Sequence, residues 1–386
     1  MTRAVDRRPA RDRTRATLLS AIRASDGVTR GELADLTGLP PSTVTHAVGA
    51  LLESGEVVES ELESKGRGAG RGRPGRVLRA AIGEHHVVAL DIGHTRVIAA
   101  IGDSRGNLVA SERREMDVDV DSTAALDVAA RLISAVSTMA GSPVIAKCVA
   151  AFALPIEAES GRVRASVGLS AWDGIAPGDE IFKRTGIPTH VENDALLGAL
   201  GEIGAGVAAG KRDVLYLKVS HGIGAGLVLG GRPYRGANGL AGDIGHIKVA
   251  GRSELCRCGE RGCLEATISL TSIADQIAAT HHGAEVPFGA HDAIDAVTSR
   301  ILQDAGRELG AVVAQVANLL NPECVVIGGT MATAHATFFE GIQWAVREYA
   351  RPTIAARTEV RLAALDGLST LHGALLIAAR TVVAAR

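Results

Sequence analysis

Three of the five cysteines in the chain lie within eight residues of one another, shortly after a histidine. Their spacing is His-x9-Cys-x-Cys-x4-Cys, and Gly259 and Gly262 supply the tight turns that fold such closely spaced ligands around one ion. Three thiolates and one imidazole form a closed tetrahedral ligand set for zinc. The sequence therefore predicts a structural zinc site with four ligands: His246, Cys256, Cys258 and Cys263.

The alternatives to a metal site are a disulfide pair or a set of unrelated core thiols. The other two cysteines, Cys148 and Cys324, lie in apolar runs typical of strands, where a free cysteine packs as a small hydrophobe. Clustered cysteine and histidine residues in a reducing compartment favour a metal over a bridge. We therefore expect the three clustered thiols to bind the ion.

The segment that holds these ligands, residues 239–265, has the sequence GLAGDIGHIKVAGRSELCRCGERGCLE. Its order, Gly-His followed by C-x-C-G-x-x-G-C-x-E, closely resembles the signature of the ROK family of sugar kinases and sugar-responsive transcriptional repressors. The resemblance implies that His246 both binds zinc and faces a sugar, and that Glu265 hydrogen-bonds sugar hydroxyls. Asp243 stands where the family usually has glutamate, and its shorter side chain implies either altered sugar selectivity or a bridging water.

A second motif, V-E-N-D-A at residues 191–195, also matches the family. The resemblance implies that Asn193 binds sugar hydroxyls and that Asp194 is the general base that takes the proton from the hydroxyl attacking ATP. In isolation an Asn-Asp pair is better explained as a helix cap, but the zinc segment follows in the right order. The predicted sugar pocket therefore contains Asn193, Asp194, Asp243, His246 and Glu265.

A carboxylate that accepts a hydrogen bond from a sugar hydroxyl is useful to a receptor as well as to an enzyme. Asp194 therefore does not by itself predict catalysis. Upstream, residues 167–174 resemble the stretch that closes over the sugar in the family. Trp172 in this stretch has two interpretations, as part of the pocket or as a core residue.

Three glycine-containing turns follow apolar strands and resemble the nucleotide-binding loops of actin-like sugar kinases. A glycine turn alone does not identify a phosphate site, because strand-to-helix turns use glycine regardless of ligand. His94 stands where family kinases usually have glycine, and Ser220 and His221 stand where they have Gly-Thr. The phosphate-loop-like residues are Asp91, Gly93, Thr95, Gly222, Gly224, Gly328 and Gly329, and they imply ATP with Mg²⁺ only if the protein is a kinase.

The N-terminal region has the apolar spacing of three short helices, beginning near residue 14 and continuing over residues 30–37 and 41–53. A Gly-Leu-Pro turn separates the last two, which is typical of a helix-turn-helix. The third helix places four short polar side chains outward, where a recognition helix meets DNA: Ser42, Thr43, Thr45 and His46. The alternative is a small helical packing domain whose polar face is merely solvated.

Residues 56–61 and 76–80 have strand-like sequences that can pair as a wing. The segment between them, KGRGAGRGRPGR at residues 65–76, cannot build a core. Its Arg-Gly-Arg-Pro resembles the short hook that lies in an A·T-rich minor groove, and the alternative is a flexible linker. We expect nonspecific phosphate contacts from Arg71, Arg73 and Arg76.

Charge is distributed unevenly along the chain, although the whole has a net charge of only −2. Residues 1–80 contain 14 Lys and Arg against 10 Asp and Glu, a net charge of +4, which suggests an anionic partner for the N-terminal region alone. The first residues lack the apolar core of a signal peptide, and no apolar run reaches membrane-spanning length. We therefore expect a cytoplasmic protein with no membrane partner.

The sequence predicts an α/β protein of two or three domains, because 386 residues with 46% apolar composition can bury a large core. The resemblance to the ROK family and to actin-like sugar kinases implies that a winged helix-turn-helix is followed by a two-lobed actin-like (ribonuclease H-like) sugar kinase fold with a zinc-binding loop. The predicted parts are the DNA-binding domain at 1–64, a Gly/Arg-rich linker and wing end at 65–83, a first lobe at 84–192 closed by a C-terminal helix at 371–386, and a second lobe at 193–370 that includes a helix at 293–320.

These patterns predict a sugar-responsive transcriptional regulator, expected to repress genes of carbohydrate uptake or metabolism. It would bind operator DNA as a homodimer or homotetramer and a sugar or sugar phosphate in the interlobe cleft. Some family repressors use a phosphotransferase-system protein in place of sugar. The alternative is an ATP-dependent hexose or N-acetylhexosamine kinase with an appended nucleic-acid-binding domain; His94, Ser220 and His221 favour the regulator, whereas Asp194 leaves kinase activity open.

Overall fold

The computed structural model describes residues 14–15, 17–19, 21–22, 25, 27–54, 57–61, 76–80, 85–157, 160–164, 171–283, 287–289, 291–365 and 367–384. The chain divides into two compact units. One comprises residues 1–84 with 381–386, and the other comprises residues 85–380. Each unit has its own buried apolar core.

The N-terminal unit contains helices α1 (Arg30–Thr37) and α2 (Pro41–Glu53), and the described residues between 14 and 22 are helical as well. Thr29 and Glu32 form a reciprocal capping box at the start of α1. Gly38, at φ 66°, ends that helix, and the proline at position 41 starts the next. The core is made by one face of each helix: Leu18, Leu19, Ile22, Leu33, Val44, Val48 and Leu51.

The wing consists of strands β1 (Val57–Glu61) and β2 (Arg76–Ala80), which pair antiparallel with Val57 opposite Ala80. Leu78 of β2 is fully buried, and its backbone exchanges two hydrogen bonds with Val28, at 2.9 and 3.0 Å. The wing is thereby attached to the segment before α1. The predicted winged helix-turn-helix is confirmed.

The larger unit has two five-stranded sheets. The strands of the first are β3 (His86–Ile92), β4 (Arg96–Gly102), β5 (Leu108–Glu115), β6 (Ile145–Phe152) and β7 (Thr189–Asn193). Their order is β5-β4-β3-β6-β7, in which β5, β4 and β3 pair antiparallel and β3, β6 and β7 pair parallel. Because parallel strands end at the same edge, the turn after β3 and the end of β7 come together there.

The strands of the second sheet are β8 (Val214–Val219), β9 (Ile223–Leu229), β10 (Arg232–Tyr234), β11 (Cys324–Gly328) and β12 (Glu359–Leu362). Their order is β10-β9-β8-β11-β12, again with three antiparallel strands followed by a parallel extension. The two sheets therefore repeat one topology. This is the two-lobed arrangement that the sequence predicts.

Helices cover the sheets and build separate buried apolar clusters around Phe152 and Trp172, around Leu217 and Phe338, and around Leu196 and Tyr216. The helices are α3 (Ser122–Met139), α4 (Pro177–Thr185), α5 (Asp194–Ala205), α6 (Leu264–Ile268), α7 (Leu270–Thr280), α8 (Ala296–Leu320), α9 (Ala336–Tyr349), α10 (Pro352–Ala355) and α11 (Ser369–Ala384). Within the described residues, every helix is too short or too polar to cross a bilayer.

Helices α5 and α11 cross with their backbones in contact. A Cβ on Gly201 would lie 2.0 Å from the carbonyl oxygen of Ser369, and a Cβ on Gly373 would lie 1.9 Å from that of Leu197. Larger residues would push the two helices apart. Glu202, fully buried on α5, accepts a hydrogen bond from the Ser369 hydroxyl at 2.6 Å and joins the same helices.

Two helix boundaries differ from the sequence prediction. Helix α8 begins at Ala296 rather than at residue 293, because the carboxylate of Asp295 accepts hydrogen bonds from the amides of Val297 and Thr298 and caps the helix. Helix α11 begins at Ser369, two residues before the predicted apolar stretch. The Asp295 cap, rather than the apolar pattern, defines the start of α8.

Candidate functional site

A cavity of about 740 Å³ lies between the two sheets of the larger unit. Residues at the carboxyl ends of strands β3, β6 and β7 line one side, and the turn between β8 and β9 lines the other together with the cysteine-rich loop. The cavity collects all five predicted sugar-pocket residues: Asn193, Asp194, Asp243, His246 and Glu265. Although these residues span 73 positions of the chain, the fold brings them to one cavity.

The predicted metal ligands form one cluster at the edge of this cavity. One ligand atom from each of four residues lies within 4.8 Å of the other three. The Cys256 Sγ is 3.6 Å from His246 Nδ1, and the Sγ atoms of Cys258 and Cys263 are 3.7 Å apart. An ion bound at metal–sulfur and metal–nitrogen distances of about 2.3 and 2.1 Å in tetrahedral geometry separates its ligands by about 3.6 to 3.8 Å. The cluster can therefore hold one metal ion.

Two glycines shape the loop around the cluster, as the sequence predicts. Gly259 and Gly262 have φ values of 92° and 72°, and a Cβ on Gly262 would lie 2.7 Å from the carbonyl oxygen of Arg252. Burial raises the pKa of the Cys256 thiol to about 12 in the absence of a cation. A bound divalent cation reverses this preference by replacing the proton.

His246 connects the cluster to the cavity. Its Nδ1 faces Cys256, whereas its Nε2 is 3.7 Å from an oxygen of Asp243. Burial raises the pKa of Asp243; the charge of Glu265 acts in the same direction, and His246 opposes it. A metal on Nδ1 would fix the imidazole ring, so that Nε2 keeps its direction toward the cavity.

Glu265 is held in place by contacts on both of its oxygens. It lies in the first turn of α6, directly after the ligand-bearing loop, and its Oε2 accepts a hydrogen bond from the Ile223 amide at 3.0 Å. Its Oε1 is 3.6 Å from a guanidinium nitrogen of Arg257, which stands between two of the clustered cysteines. The position of the Glu265 carboxylate therefore depends on the position of the cysteine-rich loop.

Asn193 and Asp194 combine a helix cap with a position in the cavity wall. The Asn193 side-chain oxygen accepts a hydrogen bond from the Leu196 amide at 2.9 Å and caps α5. Its amide nitrogen is then the group that it offers to a ligand. Asp194 accepts a hydrogen bond from the Ala195 amide at 2.7 Å through one oxygen, and its other oxygen is 2.8 Å from Lys218 Nζ. Helix capping and ligand binding are therefore compatible here.

Lys218 is a cavity residue that the sequence prediction missed. Its Nζ lies 2.8 Å from Asp194 and 3.4 Å from Asp91, and its side chain is 16% exposed. Burial lowers the pKa of this lysine, but the charges of Asp194 and Asp91 outweigh burial and raise it above the ordinary value. The signal in the sequence is one charge within the strand V-L-Y-L-K-V, directly before a glycine-rich turn.

The turn after β3 carries His94 into the space beside the second glycine turn. His94 Nδ1 is 2.8 Å from an Asp119 oxygen, and Arg257 lies 3.5 Å from the other oxygen of that carboxylate. His94 Nε2 is 3.3 Å from where a Cβ on Gly222 would stand. The histidine thus fills the gap between the two turns, and Asp119 and Arg257 connect the first lobe to the cysteine-rich loop.

The N-terminal unit presents its predicted DNA-binding residues unevenly. On α2, Ser42, Thr45 and His46 are exposed, whereas Thr43 is half-buried. The Thr45 hydroxyl donates to the carbonyl of Pro41 at 2.9 Å. Arg76 is exposed but forms an ion pair with Glu59 of the wing at 3.0 Å, and Glu59 also pairs with Arg30. The other two predicted arginines, Arg71 and Arg73, lie outside the described residues.

Comparison with known proteins agrees with both units. Residues 11–57 match the profile of a winged helix-turn-helix DNA-binding domain, and residues 87–381 match the profile of the ROK family. The chain belongs to the ROK family.

Among its ROK relatives, the chain is 26% identical to the DNA-binding transcriptional repressor Mlc of Escherichia coli, over 91% of this chain and 89% of that protein. It is 35% identical to a glucokinase of Halalkalibacterium halodurans, over 54% of this chain and 69% of that enzyme. The crystal structure of a ROK family transcriptional regulator, a homolog of E. coli Mlc, superimposes with a TM-score of 0.76 at 23% identity and covers 98% of this chain and all of that one. The last comparison supports the fold.

The seven turn residues named from the ROK resemblance fall into two groups in the structure. Asp91, Gly93, Thr95, Gly222 and Gly224 line the cavity, whereas Gly328 and Gly329 do not line it. The latter pair has a packing reason to be glycine. A Cβ on Gly328 would lie 2.0 Å from the hydroxyl of a buried tyrosine, and one on Gly329, at φ 81°, would lie 2.5 Å from a backbone oxygen of β8.

Trp172 is a core residue rather than part of the pocket. Its side chain is fully buried, packs edge-on against Phe152 with 4.7 Å between ring centroids, and donates a hydrogen bond to the Val118 carbonyl at 2.8 Å. The indole therefore belongs to the apolar core of the first lobe. Residues 167–170 of the stretch predicted to close over the sugar lie outside the described residues.

Proposed function

We propose that this ROK protein is a sugar-responsive transcriptional repressor. It binds operator DNA through helix α2 and the wing, and a sugar in the cavity of the larger unit. The observation that carries the proposal is the presence of both units in one chain. In addition, 91% of this chain is similar to a repressor. The glucokinase relative, in contrast, matches only 54% of the chain.

The cavity suits a polyhydroxylated ligand. Sugar hydroxyls both donate and accept hydrogen bonds, and the wall offers carboxylate acceptors from Asp194, Asp243 and Glu265 beside the amide donor of Asn193. A volume of about 740 Å³ lies within the range of small-molecule sites, about 300–1,000 Å³. A sugar or a sugar phosphate is therefore the proposed ligand class.

Zinc is the ion that we propose for the cysteine-histidine cluster, because three thiols and one imidazole match its preferred tetrahedral set. The ion would hold His246 and the loop that leads to Glu265. The pocket would then be organised before the sugar arrives.

Homo-oligomerisation would let two winged helices contact two half-sites about 34 Å apart, and we propose a dimer or tetramer as the active form. Sugar binding in the cavity would change DNA affinity by favouring one arrangement of the lobes. A phosphotransferase-system protein is the alternative effector.

The direct test is titration of the purified protein onto DNA upstream of its own and neighbouring genes, with hexoses, pentoses, N-acetyl sugars and their phosphates. Absence of specific binding at every salt concentration would contradict the repressor function.

The Gly/Arg segment provides a separate prediction about phosphate contacts. Three equal arginine contacts would contribute about 2.7 to the slope of log affinity against log salt. We expect Arg71→Gln with Arg73→Gln to flatten the slope by about 1.8 and Arg76→Gln by less than 0.9, because Arg76 already pairs with Glu59. Binding measured from 50 to 300 mM salt tests this prediction, with Arg131→Gln on α3 as control. An unchanged slope in the triple variant would exclude these contacts.

A kinase function is the second candidate, because Asp194 keeps the position of the predicted general base and a relative is a glucokinase. We expect Asp194→Asn to weaken sugar binding roughly 10- to 100-fold, since an ionic hydrogen bond contributes about 1.5–3 kcal/mol. Sugar binding by calorimetry and ATP turnover are the measurements. Asp127→Asn is the matched control, because Asp127 also forms an ion pair, with Arg184 at 2.8 Å, but lies outside the cavity. Substantial sugar-dependent ATP turnover that disappears in Asp194→Asn would favour the kinase.

A further inference from the structure

Two carboxylates that face the cavity, Asp91 and Asp194, both pair with the ammonium group of Lys218. Lys218 Nζ is 2.8 Å from Asp194 Oδ2 and 3.4 Å from Asp91 Oδ1, so the two oxygens lie within about 6 Å of each other. All three side chains are at least four-fifths buried. Each comes from a different place in the fold: the end of β3, the start of α5 and strand β8.

A purely stabilising role for this ion triad is a poor explanation. Burying three charges costs desolvation energy that apolar residues in the same place would avoid, so a buried ion pair contributes little net stability. The triad also lies in the cavity wall rather than in any of the apolar clusters. Lys218 therefore has its most direct effect on what the two carboxylates can bind.

The Mg²⁺ ion required by a sugar kinase does not fit this arrangement. A divalent cation needs carboxylate oxygens that are accessible to it, at about 2.1 Å for Mg²⁺. The Lys218 ammonium stands between the two oxygens that would serve this purpose, and its positive charge repels a second cation. An ammonium group has three N–H donors, two of which are used by Asp194 and Asp91, so it cannot coordinate a carboxylate and several phosphate oxygens together as Mg²⁺ does.

We propose that Lys218 is a built-in counter-ion that takes the place of the divalent cation between Asp91 and Asp194 and so confines this cavity to sugar binding. The lysine holds the Asp194 carboxylate in a fixed position as an acceptor for a sugar hydroxyl, and no Mg²⁺ is required for this. The proposal concerns the cavity alone and stands whether or not the N-terminal unit binds DNA.

The test measures binding of Mn²⁺, a paramagnetic substitute for Mg²⁺, to the full-length zinc-loaded protein by electron paramagnetic resonance. We expect no cavity site in the unaltered protein and at least tenfold tighter Mn²⁺ binding in Lys218→Met, since removing the ammonium leaves two adjacent carboxylates uncompensated. Adding Asp91→Asn to Lys218→Met should remove the new site. Sugar binding by the unaltered protein should be the same with and without Mg²⁺.

Two further variants keep this test decisive. Lys218→Gln retains a hydrogen-bond donor beside both carboxylates, so it can replace the methionine variant if that variant misfolds. It should also gain Mn²⁺ binding. Lys211→Met is the matched control, because Lys211 forms an ion pair with Glu359 at 2.7 Å outside the cavity. The proposal is overturned if the unaltered protein binds Mn²⁺ through Asp91, or if folded Lys218 variants gain no Mn²⁺ affinity.

Discussion

Replacing Cys258 with serine is expected to release the metal ion and to abolish the sugar response while the N-terminal unit stays folded. Cys258 is one of the four residues that could hold the ion, and its Sγ lies 3.7 Å from that of Cys263. Loss of a direct ligand should weaken zinc binding at least about 100-fold, more than the 10- to 100-fold typical of indirect contacts. His246 and the loop that leads to Glu265 would then lose their common anchor.

Zinc content by atomic absorption, sugar affinity and DNA affinity are the three measurements for this variant. Cys148→Ser is the matched control, because Cys148 is fully buried in β6, away from the cluster. The control should lower the free energy of unfolding by about 1–3 kcal/mol, since it buries a hydroxyl, yet retain one zinc ion per chain. A metal-free protein that responds fully to sugar would refute the coupling between zinc and the pocket.

Replacing Ser42, Thr45 and His46 together with alanine is expected to reduce affinity for the specific operator by at least about 100-fold. Their side chains are exposed on α2, and each good contact to a base edge contributes about 1–3 kcal/mol of discrimination. Affinity for unrelated DNA should change little, because neutral side chains contribute little to the salt-dependent phosphate attraction. Fluorescence anisotropy at fixed salt with both DNAs separates these effects.

Thr138→Ala provides a matched control for the Thr45→Ala component. Both threonines are exposed in helices, and each hydroxyl donates to the carbonyl four residues earlier, at 2.9 Å. Their effects on helix stability should therefore be similar, whereas only Thr45 would contact DNA. Equal operator affinity in the triple variant and the unaltered protein would show that α2 is not the recognition helix.

Features whose residues are close in the chain could be predicted from the sequence. The four predicted metal ligands fall within 18 residues, and the helix-turn-helix is specified by apolar spacing and a Gly-Leu-Pro turn within 24 residues. A short chain has few ways to separate such residues, so residue type and spacing are informative. The paired glycine turns and the two-lobed fold were accessible through the ROK resemblance.

Features that depend on distant residues required the tertiary structure. Lys218 meets Asp91 across 127 positions, and Arg257 approaches Asp119 across 138, although no local spacing connects either pair. The same holds for Trp172, which the local sequence could not assign to the pocket or to the core. It also holds for Gly328, where the Tyr216 hydroxyl leaves no room for a Cβ.

The sequence alone thus determined the cysteine-histidine cluster and the winged helix-turn-helix, and through the ROK resemblance it named the residues of the proposed sugar pocket. The tertiary structure decided which charges face one another in the cavity. The physical reason is that the energy of a buried charge depends on the distance and direction of its partners and on exclusion of water. Those quantities arise only when separate strands and helices pack together.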